Sequence, residues 1–567
     1  MNPSILAEPR QPGLRSLVLV VGALLIIPGA TLVSDHYPPW LAFHSEAVAL
    51  VGLALLFVGI VPRRPDGLQV PWPALFTFAL ALLPWVQWMA GVNPYMGDAL
   101  LSSLYLCALG VAIAAGHELA RRNGSDPRVS TWVFALCVFS ATASAAIGAI
   151  QWFGLTNSAG PLVVDVDAGT RAVGNVAQAN HLGTICLLGI CGLAYLFHVR
   201  LIGAWALLLG VAFLSAATAL TQSRTSIVAV VCLATAYLIY RKRAELRIAR
   251  TAVAAWVLLY VVTWLLVPAA ARLLLLGGGR EDAIAADNGR WELWTQTWAG
   301  ILQRFWTGYG WNQTMAAHIA GATEVPGRLT AAYAHNGLLD LAAWIGIPGA
   351  LLVLGVMGYW LWRRFRAPGS GAGVHTVLCL MPLLVHSLVE YPFAYAYFLI
   401  PAGLAVGWMS FGWGAIRIPS GMAVLGLALA TTVAARVAVE YLAVEEEFRA
   451  VRFSEARIGV PVPVGQAPQL LLNTQLAAML KAARTLPAPG MSREELDSLL
   501  AVCRRYAYSA LTFRCAAAAA LNGDPQQAEA MMRSFRGLYG EKAYAIAAGK
   551  LERLAEDSSR PAPSDAP

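Results

Sequence analysis

The chain reads as an all-α polytopic membrane protein, on three observations. Of its 567 residues, 58% are hydrophobic and only 13% are charged, against about 25% charged in ordinary soluble proteins. Apolar runs of about 20 residues recur along most of its length, which is what a helix needs to cross roughly 30 Å of hydrocarbon. Basic residues gather in short loops between those runs, the positive-inside pattern, so the net charge of +8 points to membrane orientation and not to nucleic acid.

Taken in order, the predicted spans fall at 15–33, 43–62, 72–91, 99–117, 131–153, 181–198, 201–221, 225–241, 251–271, 337–362, 373–389, 394–412 and 421–441, about 13 in all. Arg10 and Arg15 ahead of the first run resemble a signal peptide. No small-residue cleavage site follows, so the run is read as an uncleaved first span. With the N-terminus cytoplasmic, every basic cluster falls inside: Arg63-Arg64, Arg121-Arg122, the Arg241-Lys242-Arg243 run with Arg247 and Arg250, and Arg363-Arg364 with Arg366. Outside then lie the 154–180 loop, the 221–224 turn, a large periplasmic loop at 272–336, the Glu390-Tyr391-Pro392 turn and everything after about residue 441. The expected organisation is N-terminal helices over 1–150, a membrane core over 151–412, a last span over 413–441, a helical domain over 442–557 and a disordered tail over 558–567.

The C-terminal domain regains charge and reads as short helices. Ser492-Arg493-Glu494-Glu495 is a capping-box start, and Asn522-Gly523-Asp524-Pro525 joins two helices in one hairpin of tetratricopeptide type. Six of the eight cysteines lie in apolar runs and read as small core residues; Cys503 and Cys515, in the polar tail, can pair if the tail is periplasmic.

Polar groups are expensive inside a bilayer, so their positions carry information. They cluster at the outer span ends: Glu46, His181, Arg224, His335, Asp340, His386 and Glu390. A transporter would place charges near the midplane, and a lipid-carrier flippase would need a polar route across. This pattern instead predicts a site at the outer boundary. Five segments could build it. Arg171-Ala172-Val173-Gly174-Asn175-Val176-Ala177-Gln178-Ala179-Asn180-His181 packs an arginine, three amides and an imidazole into one loop, although alone it also fits a helix start capped by Asn180. Thr221-Gln222-Ser223-Arg224-Thr225-Ser226 carries an outward arginine, suited to phosphate oxygens or to snorkelling. Trp291, Trp294, Trp298, Ile301 and Phe305 recur at helical spacing beside Arg280 and Arg290, an interface anchor or the wall of a site for an anionic amphiphile. His335 in Ala334-His335-Asn336 is a candidate general base or a structural histidine. The fifth is Glu390-Tyr391-Pro392, whose following tyrosines Tyr395 and Tyr397 also suit an aromatic belt.

As an ordered set, Gly174-Asn175-x-x-Gln178-x-Asn180-His181, Gln222-Ser223-Arg224-Thr225, Arg290-x-x-Leu293-Trp294 with Gly308-x-Gly310, His335-Asn336 and Glu390-Tyr391-Pro392 resemble bacterial O-oligosaccharyltransferases of the PglL type, within the O-antigen ligase and polymerase superfamily. The resemblance covers roughly residues 150–410, making 151–412 a ligase-like core, and extends more weakly into the tail. It implies a metal-independent transferase of the inner membrane that needs no cofactor and moves a glycan from undecaprenyl-pyrophosphate to an acceptor hydroxyl at the periplasmic face. His335 matches the essential histidine, and Gln178 and Tyr391 match residues near donor and acceptor, with Asn180, His181 and Asn336 beside them. Arg171, Arg224 and Arg290 are then the candidates for the pyrophosphate, where preorganised guanidinium groups stabilise leaving-group charge. Asp165-x-Asp167 is the only carboxylate pair with any metal-like spacing and reads as loop solvation, so no metal ligand is assigned. The helical tail favours a protein acceptor such as pilin; lipid A–core, as for an O-antigen ligase, and a growing glycan, as for a polymerase, are the alternatives. One departure stands out. Where many members carry a glutamate after His-Asn, this chain reads Ala342-Ala343-Trp344-Ile345-Gly346.

Overall fold

The computed structural model describes residues 14–61, 67–124, 126–276, 289–369, 371–456 and 468–559. Arg10, Arg63-Arg64, Arg280 and residues 560–567 of the predicted disordered tail lie outside them. Among the described residues, ten helices are long and apolar enough to span a bilayer, and the shorter apolar helices Leu17–Leu32, Ala204–Leu220 and Ala396–Met409 coincide with the three remaining predicted spans. Helices are the expected solution, since hydrocarbon offers no partner for an open backbone amide. The only strands described are β1 (Leu68–Pro71) and β2 (Ala415–Ile418), antiparallel with Leu68 opposite Ile418.

The Ala179–His198 helix sits at the centre, wrapped by Arg128–Trp152, Ala204–Leu220, Arg224–Arg241 and Gly371–Val389. Small residues permit that depth. A Cβ on Gly189 would stand 2.3 Å from the Ala141 methyl, and one on Gly192 2.7 Å from the Phe134 carbonyl oxygen. Close backbone approach of this kind is how membrane helices gain dispersion contacts when no hydrophobic drive separates them from lipid. By contrast Arg250–Leu273 and Ser420–Glu455 expose leucines and valines along much of their length, a surface suited to acyl chains.

The helix ends sort by chemistry. The Gly337–Arg366 helix starts beside His335 and ends in Arg363, Arg364 and Arg366. The Arg224–Arg241 helix starts beside Ser223 and ends in the basic 241–250 run. One end of the bundle therefore carries the polar motifs and the other the arginine clusters.

The tail differs from expectation at its start. The last predicted span stops at 441, but one helix runs from Ser420 to Glu455. Buried Tyr441 and Val444 pack with Phe43 and Leu476, which gives the extra turns an apolar partner. Glu440 then accepts the backbone N–H groups of Leu471, Leu472 and Asn473, ahead of the Thr474–Arg484 helix. Arg493–Arg505 begins with the predicted capping box. Ser509–Leu521 and Pro525–Ser559 pack against each other on either side of Gly523 (φ 78°), with Asp524 Oδ1 accepting from the Gln527 N–H. Cys503 and Cys515 are disulfide-bonded.

Candidate active site

The site is assembled from four helix starts and one helix end. Gln178 is the N-cap of the central helix, its Oε1 accepting from the N–H groups of Asn180 and His181. The expected cap, Asn180, is instead the first turn's side-chain hub. Its Oδ1 accepts from Ser223 Oγ at 2.7 Å and from an Arg171 guanidinium N–H at 3.1 Å, and its Nδ2 donates to Glu390 Oε1 at 2.8 Å. Ser223 is itself the N-cap of the Arg224–Arg241 helix, accepting from the Ser226 N–H. Arg171 also donates to the Thr221 carbonyl at 2.8 Å.

Glu390, one residue beyond the Gly371–Val389 helix, closes the network. Besides Asn180 it takes a hydrogen bond from Arg290, the first residue of the Arg290–Gln303 helix, on the same oxygen. Its other oxygen, Oε2, faces His335 Nδ1 at 2.5 Å. Thus one buried carboxylate joins motifs drawn from five separate segments. Burial alone would raise its pKa, but the hydrogen bond and charge of His335, with the charge of Arg290, outweigh that and hold the carboxyl below its usual value.

His335 is held from both sides. Its φ of 53° is the left-handed region, uncommon for a residue with a side chain. The preceding peptide supplies the reason: Trp294 Nε1–H donates to the Ala334 carbonyl at 2.8 Å, and buried Asp340 accepts the Ala334 N–H at 2.8 Å. Asp340 also accepts from Thr314, which in turn accepts from Trp344 Nε1–H. Asn336 caps the following helix through the N–H groups of Leu338 and Leu339. With Nδ1–H spent on Glu390, the imidazole presents Nε2 as its proton-accepting atom. The ring is partly open, and Tyr391 stands edge-on to it at 4.7 Å. Tyr391 stacks on Tyr333 at 4.7 Å, and burial raises the Tyr391 phenol pKa.

The alanine-rich departure after His335 has a structural counterpart. Gly346 breaks its helix at φ 73°, and the 305–310 segment lies directly against the break. Tyr309 and Gly310 N–H groups donate to the carbonyls of Ala343 and Trp344, and Ile347 N–H donates to Phe305. A Cβ on Gly308 would come within 2.6 Å of the Gly346 nitrogen, which explains the Gly308-x-Gly310 spacing as packing.

The predicted site residues divide into groups. Asn180, Arg171, Arg290 and His335 share one network, with Tyr391 against the imidazole. His181 is buried beneath it, with Nδ1 2.8 Å from Tyr397 Oη and its ring edge-on to His386. Gln178 is half-buried, and its Nε2 has no partner among the described residues. Arg224 is exposed and likewise makes no side-chain hydrogen bond or ion pair among the described residues. Of the tryptophan stripe, Trp291, Trp298 and Phe305 are exposed while Ile301 is buried, so the five do not share one environment. Asp165 accepts from Thr156. Sequence reasoning passed over Glu390 as the hub and Ser223, Trp294 and Asp340 as supports; a carboxylate at a span end was the one available signal.

Two family models match the chain, one described as O-antigen ligase over residues 206–354 and one as virulence factor membrane-bound polymerase, C-terminal, over residues 374–553. A general O-oligosaccharyltransferase of Acinetobacter baylyi (strain ATCC 33305 / BD413 / ADP1) is 30% identical over 405 residues, covering 70% of each chain. A ComP-specific O-oligosaccharyltransferase of the same organism is 26% identical over 407 residues, 69% of this chain and 70% of the relative. The two family-model matches cover the segments that carry Arg224, Arg290, His335 and Glu390. The chain is a membrane transferase that belongs to the bacterial O-oligosaccharyltransferases of the O-antigen ligase and polymerase superfamily.

Proposed function

We propose that the protein transfers an oligosaccharide from undecaprenyl-pyrophosphate to a serine or threonine hydroxyl of a pilin-like protein, at the periplasmic face of the inner membrane. The observation that carries this reading is the joining of His335 and Arg290 through Glu390, with Arg224, unpaired among the described residues, next in sequence to Ser223 of the same network. His335 Nε2 takes the acceptor proton as the hydroxyl oxygen attacks the anomeric carbon. The bond from that carbon to the phosphate oxygen breaks, and undecaprenyl-pyrophosphate leaves with the electron pair. Arg224 and Arg290, supported by Arg171, stabilise the charge that develops there. Glu390 orients the imidazole and stabilises its protonated form. No step calls on a metal ion or a cofactor. Gln178 Nε2 and the Tyr391 phenol face donor and acceptor, while Asn180, His181 and Asn336 hold that wall in shape. A single displacement of this kind inverts the anomeric centre, so product with the donor's own anomeric configuration would refute it.

Orientation with the site outside rests on the arginine clusters at the opposite helix ends. The Cys503–Cys515 disulfide supports a periplasmic tail, since such bonds persist in oxidising compartments. The deciding experiment is transfer from purified undecaprenyl-pyrophosphate glycan to pilin, comparing wild type with His335→Ala in matched membranes. Modified pilin from wild type alone is expected; equal transfer by both removes His335 from the chemistry. The O-antigen ligase match over 206–354 favours one second reading, with lipid A–core as acceptor. Elongation of lipid A–core, with pilin ignored, would select it.

A further inference from the structure

At the end of the bundle opposite His335, an apolar groove of about 550 Å³ opens sideways from the spanning helices. Trp72, Leu351, Leu352, Tyr359 and Trp413 are among its walls. Gly355 lines it too, and a Cβ there would meet no atom within 4 Å, so the space beside it is open. Leu351 and Leu352 are largely exposed. In a membrane-spanning segment, such a groove is filled by hydrocarbon.

Its rim is cationic. The Arg364 guanidinium lies 4.8 Å, and that of Arg363 5.5 Å, from the centroid of the Trp413 ring that lines the groove. Arg366 lies 4.5 Å over Trp362. The side chains of Arg363 and Arg364 meet only the Tyr359 hydroxyl (3.5 Å) and the Phe411 carbonyl (2.9 Å) as polar partners, and none of the three arginines has a carboxylate partner among the described residues. Three uncompensated guanidinium groups at a helix end attract phosphate, and basic pockets beside spanning helices hold anionic head groups. The helix from Ile347 to Arg366 is about 30 Å long at about 1.5 Å per residue, with His335 before its start and these arginines at its end.

We infer that this groove and its arginines form a site for an anionic glycerophospholipid of the surrounding membrane, one acyl chain against Gly355 and the phosphate on Arg363, Arg364 and Arg366. The test uses full-length protein in mild detergent, offered phosphatidylglycerol or phosphatidylethanolamine of matched chains, with retained lipid counted by native mass spectrometry. Wild type should retain phosphatidylglycerol about tenfold better, equivalent to about 1.4 kcal/mol. The Arg363→Gln/Arg366→Gln variant should lose that preference. Gly355→Phe, whose ring enters open space, should lower retention of phosphatidylglycerol with all three arginines in place. Equal retention of both lipids by wild type, or undiminished retention by Gly355→Phe, would overturn the proposal.

Discussion

Glu390 decides what His335 can do. Exchange for glutamine keeps the shape and an oxygen for Asn180, yet removes the charge that faces both His335 Nδ1 and Arg290. Glu390→Gln should therefore lower kcat by about 100-fold, within the range for a misdirected general base, with donor KM changed far less. A matching loss in KM alone would mean that the carboxylate serves binding. Its pKa is held below the usual 4.5 by His335 and Arg290 against burial. The carboxylate thus stabilises the fold above about pH 4.5, and that contribution fades as pH falls below 4.5 through the depressed value. The thermal midpoint of wild type should exceed that of Glu390→Gln at neutral pH and converge with it in that acid window. Arg224 is the complementary case. Because Arg224 is exposed and has no partner among the described residues, Arg224→Ala should leave the midpoint unchanged while raising donor KM about tenfold, read from a donor titration. At this scale most of the site was legible, because an ionisable group at a span end is costly and so announces itself. What could not be read was the pairing. Asn180 and Glu390 are 210 residues apart, and nothing local in either segment encodes their contact.

Span positions were legible because hydrocarbon thickness sets the length of an apolar run. Helix ends were less so, since caps depend on which oxygen reaches the free N–H groups. Gln178 outcompetes Asn180 because Asn180 is held by Ser223, Arg171 and Glu390, all outside its own helix. The tryptophan-rich helix shows a similar override. Its buried side holds Gln296, Thr297 and Gly300, small or polar residues that a hydrophobic stripe search discards, beside Leu293, Ala299 and Ile301. They are buried because the Thr314–Gly321 helix crosses there, with the Ala317 carbonyl oxygen 1.8 Å from where a Gly300 Cβ would stand. The contact is sealed by His318 Nε2 against Gln296 Oε1 at 2.6 Å. Burial lowers the His318 pKa from 6.5 to about 4, so the neutral ring is the folded form. Unfolded chains bind the proton first, hence stability is complete above pH 6.5 and falls as pH drops from 6.5 towards 4. His318→Gln should flatten that part of the stability profile in detergent, measured by thermal unfolding between pH 7 and pH 4; an unchanged slope would place the titrating group elsewhere.

The sequence presents the C-terminal region as a separate helical unit, and only the assembled molecule reveals how firmly it is seated. Arg505, its side chain 13% exposed, forms an ion pair with buried Asp98, at 3.0 Å, at the first turn of the Met96–Asn123 helix. Gln313, from the segment between the Arg290–Gln303 and Gly337–Arg366 helices, donates to the same carboxylate at 2.9 Å. A second anchor joins the backbone: Gln296 Nε2 and the Gly327 N–H both donate to the Gly537 carbonyl, where a Cβ on Gly537 would stand 1.8 Å from the Ala322 carbonyl oxygen. The tail therefore rests on the loop that carries Arg290 and His335. Arg505 and Asp98 are 407 positions apart, so neither hydropathy nor periodicity could pair them. This seat ties the tail to the segment that carries Arg290 and His335. Removing one partner of a buried pair leaves the other charge uncompensated, at a cost of about 3–5 kcal/mol. Asp98→Ala should therefore raise amide exchange in Arg493–Arg505 and lower transfer to a protein acceptor, whereas Asp98→Ala combined with Arg505→Leu should recover much of the stability. If the single variant exchanges like wild type, the pair does not hold the tail in place, and the main-chain anchor at Gly537 carries the docking alone.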